Sequence, residues 1–128
     1  MRKLVVVAGT TFVLGVGLAI AADAVRDSTI ADGDVHQVVL ENDHVRVFEA
    51  MAASGHKSPM HSHPPMVLVS LGTARGKLTL ADGKTQIFTL HPGSVFWIDG
   101  AQHSWELLSG ELHAVGVEVK GVQPAPKP

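Results

Sequence analysis

Turn-forming residues divide the chain beyond residue 34 into apolar runs that are too short for ordinary helices. The Asp-Gly pair within Ala81–Lys84 is typical of a tight hairpin, and His91-Pro92-Gly93 is typical of a turn. We predict eight strands, at Val35–Leu40, Val45–Met51, Met66–Leu71, Lys77–Leu80, Thr85–Leu90, Ser94–Ile98, His103–Leu108 and Leu112–Val119. Eight short strands without a helical period or an internal repeat predict an all-β domain, either a small antiparallel barrel or a jelly roll.

The composition is that of one globular domain. The chain has 128 residues, of which 45% are hydrophobic and 17% charged, which is enough for one domain and too little for two. The formal charge of −2 and the lack of a basic cluster beyond the N-terminus argue against nucleic-acid binding. The chain has no cysteine, which excludes disulfides and thiol chemistry.

The first residues have the pattern of an export signal. Arg2 and Lys3 precede an apolar run over residues 4–20, and Ala19-Ile20-Ala21 is typical of a cleavage site. We therefore expect a signal peptide over residues 1–21 and a periplasmic or secreted bacterial protein with no stable membrane association after cleavage. A retained anchor is the alternative, because about nineteen apolar residues can just span a bilayer.

Three histidines suggest a metal site within the β domain. His61 and His63 are two positions apart, so on a strand their side chains leave from the same face. His103 lies in a distant predicted strand, between predicted turns at Asp99-Gly100 and Ser109-Gly110. Imidazole is the commonest side-chain metal ligand near neutral pH. Taken singly, each of these residues could equally be a surface or hydrogen-bonded histidine.

The glycines around these histidines carry a family resemblance. From residue 35 to residue 120 the chain resembles the cupins, which are double-stranded β-helix (jelly-roll) barrels. Gly55, His61 and His63 match the first cupin motif, G-x5-H-x-H-x3,4-E-x6-G. Gly93, Gly100 and His103 match the second motif, G-x5-P-x-G-x2-H-x3-N, with one residue missing between the two glycines. The resemblance implies a cupin barrel over residues 35–120, between an N-terminal linker (residues 22–34) and a proline-rich tail (residues 121–128).

The chain departs from the cupin motifs at two positions. The motif glutamate should fall at Val67 or Leu68, and Leu107 replaces the closing asparagine. By resemblance His61, His63 and His103 would therefore hold a divalent metal ion without the carboxylate. Some cupin enzymes use three histidines in this way. Fe2+ is the metal expected for an enzyme, with Mn2+, Zn2+, Ni2+ or Cu2+ as alternatives.

Other residues are candidates for the wall of the metal pocket. The set consists of Val67, Leu68, Trp105, His113 and Arg46. Arg46 could bind a substrate carboxylate from the face of Phe48 and Ala50, or its head could lie in solvent. His113 could point into the barrel, although a hydrogen-bonded core histidine is the commoner case. His36, His44 and His91 have the contexts of surface residues, and His56 is expected to be exposed.

The metal centre is the only reaction site that the sequence suggests. The chain has no G-x-S-x-G elbow and no phosphate-binding glycine loop. The expected function is a metal-dependent dioxygenase acting on a small organic molecule. The alternative is a non-catalytic periplasmic cupin that binds a small ligand or a metal. A homodimer is expected only by analogy with other cupins.

Overall fold

The computed structural model describes residues 24–126 as an almost entirely β protein. A short helix α1 (Ser28–Ala31) precedes six strands, namely β1 (His36–Glu41), β2 (Val45–Ala53), β3 (Lys57–Ser70), β4 (Ala74–Leu80), β5 (Thr85–Leu90) and β6 (Val95–Val119). The all-β prediction is confirmed. The predicted signal peptide lies outside the described residues. Within residues 24–126, no helix has the length and apolar character needed to cross a membrane.

Strand β6 organises the sheet because it pairs with three other strands. The strand order is β1-β2-β6-β4-β5, and β3 also pairs with β6. The three final predicted strands form this one element, since the predicted turns at Gly100 and Gly110 are bends within it. Both glycines have a positive φ, of 81° and 77°. At Gly110 a Cβ atom would lie 2.2 Å from the Thr73 carbonyl oxygen, so only glycine fits this bend.

The observed strand boundaries agree best with the predicted ones where a tight turn fixes them. Strand β5 spans the predicted residues, and the preceding hairpin closes with a 2.8 Å hydrogen bond from the Leu80 N–H to the Lys84 carbonyl. Strand β3 begins at Lys57, well before the predicted start at Met66, and it contains Pro64 and Pro65. Its register with β6 is irregular throughout, which accommodates residues that cannot donate a ladder hydrogen bond.

The barrel interior contains ten buried hydrophobic side chains and a group of buried histidines. The hydrophobic residues are Val35, Phe48, Ala50, Met66, Ala74, Leu90, Trp105, Leu107, Leu112 and Ala114. The buried histidines are His36, His61, His63 and His103. Burial of a polar ring is costly unless its nitrogens have partners. Four such rings in one core therefore require a specific arrangement of protons or a bound cation.

Candidate metal centre

Three strands bring the four buried histidines together. His61 and His63 lie on β3, and His61 is the register partner of His103 on β6. His36 is the first residue of β1 and pairs with Ala50 on β2. The four residues have relative exposures of 4% (His36), 0% (His61), 6% (His63) and 8% (His103). We call them the histidine cluster.

The ring nitrogens of His61 and His63 point toward each other. Their Nε2 atoms are 3.0 Å apart. The His61 Nδ1 atom lies 2.8 Å from the Pro59 carbonyl oxygen, which can only accept, so this nitrogen carries the proton. The His61 Nε2 atom therefore has a lone pair directed at His63. In the absence of a cation, His63 must donate its own Nε2 proton across this gap.

This arrangement fits a divalent metal ion. Metal–nitrogen distances to imidazole are about 2.1 Å, so two ligand nitrogens at a right angle are about 3.0 Å apart. The His61–His63 separation has this value. In addition, the Nδ1 atom of His63 is buried and has no hydrogen-bond partner among the described residues. A cation between the two Nε2 atoms would free His63 to carry its proton on Nδ1.

His36 contributes the third nitrogen of the metal-binding group. Ligand nitrogens of His36, His61 and His63 all lie within 4.8 Å of one another. The Nδ1 atom of His36 lies 3.2 Å from the Asp32 carbonyl oxygen, which leaves Nε2 for a cation. The interpretation of His36 as a surface residue was wrong, because the β1–β2 register places it opposite Ala50 on the buried face.

His103 lies against the same group, with its ring centroid 4.7 Å from that of His61 and 5.3 Å from that of His63. Its predicted role as the third ligand stays a prediction. The cluster thus offers one more imidazole than the cupin resemblance implies. A carboxylate is not among the three residues whose ligand atoms converge.

Burial keeps three histidines of the cluster neutral. Burial, with the neighbouring His63 and His61 rings, lowers the pKa of His36 to about 4. Burial and the nearby His63 ring lower the pKa of His61 to about 4 as well. Burial and the surrounding imidazoles lower the pKa of His103 to about 3. At neutral pH these three rings are uncharged and can each donate a lone pair.

Glu118 is a buried carboxylate beside the cluster that the sequence reasoning missed. It is 2% exposed, and its Oε1 atom lies 3.5 Å from the His63 Nδ1 atom. Its Oε2 atom accepts a hydrogen bond from the Arg46 Nε atom at 2.5 Å. Burial opposes the ionisation of Glu118, but His63 and Arg46 outweigh it and hold its pKa below the usual value. Alternation along the last strand provides no signal for it, because the apolar residues Val115, Val117 and Val119 lie on the other face.

Aromatic rings surround the histidines. The Phe48 ring stacks on His63 with a centroid distance of 5.5 Å and an interplanar angle of 22°. Trp105 lies 6.4 Å from His36, ring centroid to ring centroid. Two surface pockets, of about 370 and 190 Å³, lie near by, and neither is lined by a residue of the cluster. The low exposure of the four histidines, with these rings packed against them, keeps the ligand nitrogens away from bulk water.

The predicted pocket residues divide into two groups. Trp105 and Leu68 pack in or against the core, and Arg46 forms ion pairs with Glu118 and Asp27. His113 was a candidate for the pocket wall, but it lies on the outer face, where its Nε2 atom is 2.7 Å from Glu49 Oε1. Val67 neighbours the buried Met66, so by strand alternation it also faces outward.

Comparison with solved structures identifies the architecture. A cupin domain from Bordetella pertussis superposes with a TM-score of 0.60 and 21% identity over 68% of this chain and 93% of that one. The chain has the cupin fold. An RmlC-like cupin from Methanocaldococcus jannaschii matches with a TM-score of 0.55 and 16% identity, over 66% of this chain and 78% of that cupin. The DMSP lyase DddQ from Ruegeria pomeroyi matches with a TM-score of 0.50 and 16% identity, over 67% of this chain and 47% of the lyase.

Comparison of the sequence alone finds no match. No protein-family model matches the chain, and no curated protein matches it. The cupin fold and the group of three histidines together fit a divalent metal site. The buried cluster, rather than either surface pocket, is therefore the candidate functional site.

Proposed function

We propose that this chain is a metal-binding cupin that holds one divalent metal ion on His36, His61 and His63, with His103 beside them. The observation that carries the proposal is the 3.0 Å approach of the His61 and His63 Nε2 atoms inside a closed core. The neutral rings leave the full charge of a cation available to polarise a bound molecule. Soft sulfur donors are absent from the group, which favours iron, zinc or nickel over copper(I).

Metal binding is tested on purified protein that has been stripped with a chelator and reloaded with Zn(II). We expect about one metal ion per chain by elemental analysis. His61→Ala combined with His63→Ala should remove this binding, because each substitution deletes a ligand nitrogen. His113→Ala is the matched control, since this histidine lies on the outer face. Equal occupancy in the double variant and the control would rule the proposal out.

The enzymatic form of this proposal is a dioxygenase that acts on a small organic molecule. It is supported by the three-histidine donor set, because three protein ligands would leave a bound Fe(II) with open positions for substrate and dioxygen. The chain's own contribution would be to hold the metal with three rings and to exclude water with Phe48 and Trp105. Oxygen uptake by the Fe(II)-loaded protein, screened over small diketones, thiols and phenols, tests this activity.

A non-catalytic cupin that binds metal in the periplasm is the second candidate. The packing of Phe48 on His63 and of Trp105 near His36 supports it, because a filled interior leaves little room for a substrate. Oxygen consumption distinguishes the two candidates. A binder should hold Fe(II) without consuming oxygen beyond the uncatalysed rate, whereas the enzyme should consume it only when a substrate is added.

We also propose that the protein is exported, on the strength of the Arg2-Lys3 start, the apolar run and the Ala19-Ile20-Ala21 site. N-terminal sequencing of protein recovered from the periplasm should begin at Ala22. A chain that still begins at Met1 and sediments with membranes would instead support a retained anchor.

A further inference from the structure

Glu118 is placed where a carboxylate can act on the metal centre without touching the metal. It lies on the inner side of β6, which is fixed between β2 and β3, and its register partners are Arg46 and Met66. The facing atoms, Glu118 Oε1 and His63 Nδ1, are 3.5 Å apart. Within residues 24–126, both atoms are buried and neither has a hydrogen-bond partner. Two complementary polar atoms left unpaired side by side in a core call for an explanation.

We propose that Glu118 is a positioning residue for the metal centre, which accepts a hydrogen bond from the His63 Nδ1–H and so keeps the His63 Nε2 lone pair directed at the cation. This inference rests on the proposed metal-binding function. A small rotation of either side chain shortens the 3.5 Å contact to hydrogen-bond length. A carboxylate behind a metal-bound imidazole is a recurrent way to fix the tautomer and raise the basicity of the ligand.

Other contacts of His63 do not supply this control. The stacked Phe48 ring fixes the plane of the imidazole, but it does not decide which nitrogen carries the proton. His61 faces the Nε2 atom and has its own Nδ1 atom committed to the Pro59 carbonyl. The choice of tautomer at His63 therefore depends on the group behind Nδ1, which is Glu118.

The carboxylate is itself held in place by an ion-pair network. The Arg46 guanidinium binds Glu118 Oε2 through Nε and Asp27 Oδ2 through a terminal nitrogen at 2.6 Å. Two carboxylates and one guanidinium carry one net negative charge. That charge equals the charge of the motif glutamate that is missing at Val67 or Leu68. The network thus places a negative charge behind the His63 ring. There it would stabilise a bound dication without occupying a coordination position.

A purely structural role for Glu118 predicts different behaviour. If the residue only neutralises Arg46, its replacement should lower the stability of the fold and leave the metal affinity of the folded protein unchanged. If it positions His63, the metal affinity should fall in protein that remains folded. Metal affinity measured on folded protein therefore separates the two roles.

The central experiment compares Glu118→Gln with Glu49→Gln. Glu49 forms the matched control pair with His113, a carboxylate–imidazole contact on the outer face that does not involve the histidine cluster. Zn(II) affinity is measured by competition with a chromophoric chelator, on protein shown to be folded by circular dichroism. We expect a loss of about 10- to 100-fold for Glu118→Gln and less than twofold for Glu49→Gln. An affinity of Glu118→Gln within twofold of the unsubstituted protein would overturn the inference.

A background experiment shows which ligand Glu118 acts through. The Glu118→Gln substitution is repeated in His63→Ala and in His103→Ala proteins. The loss of Zn(II) affinity should vanish in the His63→Ala background and persist in the His103→Ala background. Equal losses in both backgrounds would mean that Glu118 does not act through His63, and the inference would fall.

A measurement on the unsubstituted chain covers the case in which the variants do not fold. Long-range ¹H–¹⁵N correlation spectra of the Zn(II)-loaded protein should show His63 with its proton on Nδ1. A proton on Nε2 would overturn the inference while leaving metal binding by the cluster intact. Failure of the unsubstituted protein to bind Zn(II) at all would instead refute the proposed function, and this inference with it.

Discussion

At the scale of single residues, the unexpected feature of the candidate centre is a proposed ligand from β1. His36 is bonded to the Asp32 carbonyl through Nδ1 at 3.2 Å, so its Nε2 atom is available. Asp32 follows α1, and its carboxylate also lies 3.0 Å from the His56 Nε2 atom. The segment before the barrel therefore orients one ligand of the centre, which a linker without structure could not do.

This position leads to a prediction that ranks the histidines. Replacing His36 with alanine should weaken Zn(II) binding more than replacing His103, because the nitrogens of His36 lie within 4.8 Å of those of His61 and His63. Loss of one of the three ligands should cost at least tenfold in affinity, measured by chelator competition. His44→Ala, at an exposed position, is the control. A larger loss for His103→Ala would show that the triad expected from the cupin motifs is the one that binds.

At the scale of elements, packing between β2 and β6 holds the ring that supports His63. A Cβ atom at Gly116 would lie 2.2 Å from the Phe48 ring, so this glycine makes room for the ring. Phe48 in turn stacks on His63. The lack of a side chain at Gly116 on β6 therefore leaves room for the Phe48 ring that orients His63 on β3.

Gly116→Ala should consequently damage both the fold and the site. Overpacking of this kind costs about 1–3 kcal/mol of the free energy of unfolding, and the displaced Phe48 ring should also reduce Zn(II) affinity. Gly76→Ala is the matched control, because its Cβ atom would lie 2.2 Å from the Phe88 ring, which does not stack on a cluster histidine. Both variants should lose stability in urea titrations, and only Gly116→Ala should also lose affinity. Equal affinities would show that Phe48 is not needed to hold His63.

The elements also show which parts of the site could be predicted from sequence. His61 and His63 share a strand, so their common face follows from alternation alone, and both are buried. His113 and Glu118 could not be assigned in this way, because the bend at Gly110 changes which positions face inward. Before the bend the buried positions of β6 are His103, Trp105 and Leu107, and after it they are the even-numbered Leu112, Ala114 and Glu118. The burial of His36 depends on the register of the β1–β2 hairpin, and the irregularity between Val38 and Leu40 in that hairpin breaks the simple alternation.

At the scale of the whole molecule, a metal bound in the core should stabilise the entire fold. The proposed ligands belong to β1 and β3, which do not pair with each other, so unfolding must destroy the site. Zn(II) at 100 times its dissociation constant should add about 2.7 kcal/mol, which corresponds to a rise in Tm on the order of 10 °C. Thermal melts with and without Zn(II) measure this rise. The double variant His61→Ala/His63→Ala should show none, and an equal rise in that variant would place the stabilising metal elsewhere.

Without metal, the same buried histidines should make the fold sensitive to mild acid. The pKa of His36 and that of His61 are lowered from 6.5 to about 4, and that of His103 to about 3, so the unfolded chain takes up protons first as the pH falls. Stability is therefore fully present above pH 6.5 and is lost progressively as the pH falls toward 4, by up to roughly 3 kcal/mol for each histidine. Buried carboxylates such as Glu118 have lowered pKa values and affect stability only below about pH 4.5, so the histidine and carboxylate effects occupy separate pH ranges.

Urea titrations in a chelator at pH 7.5, 6.5, 5.5 and 4.5 should show the free energy of unfolding falling across this series. His36→Gln should reduce the fall, because glutamine does not titrate. A free energy of unfolding that stayed constant down to pH 4.5 would mean that the rings are already protonated, or open to solvent, in the folded protein.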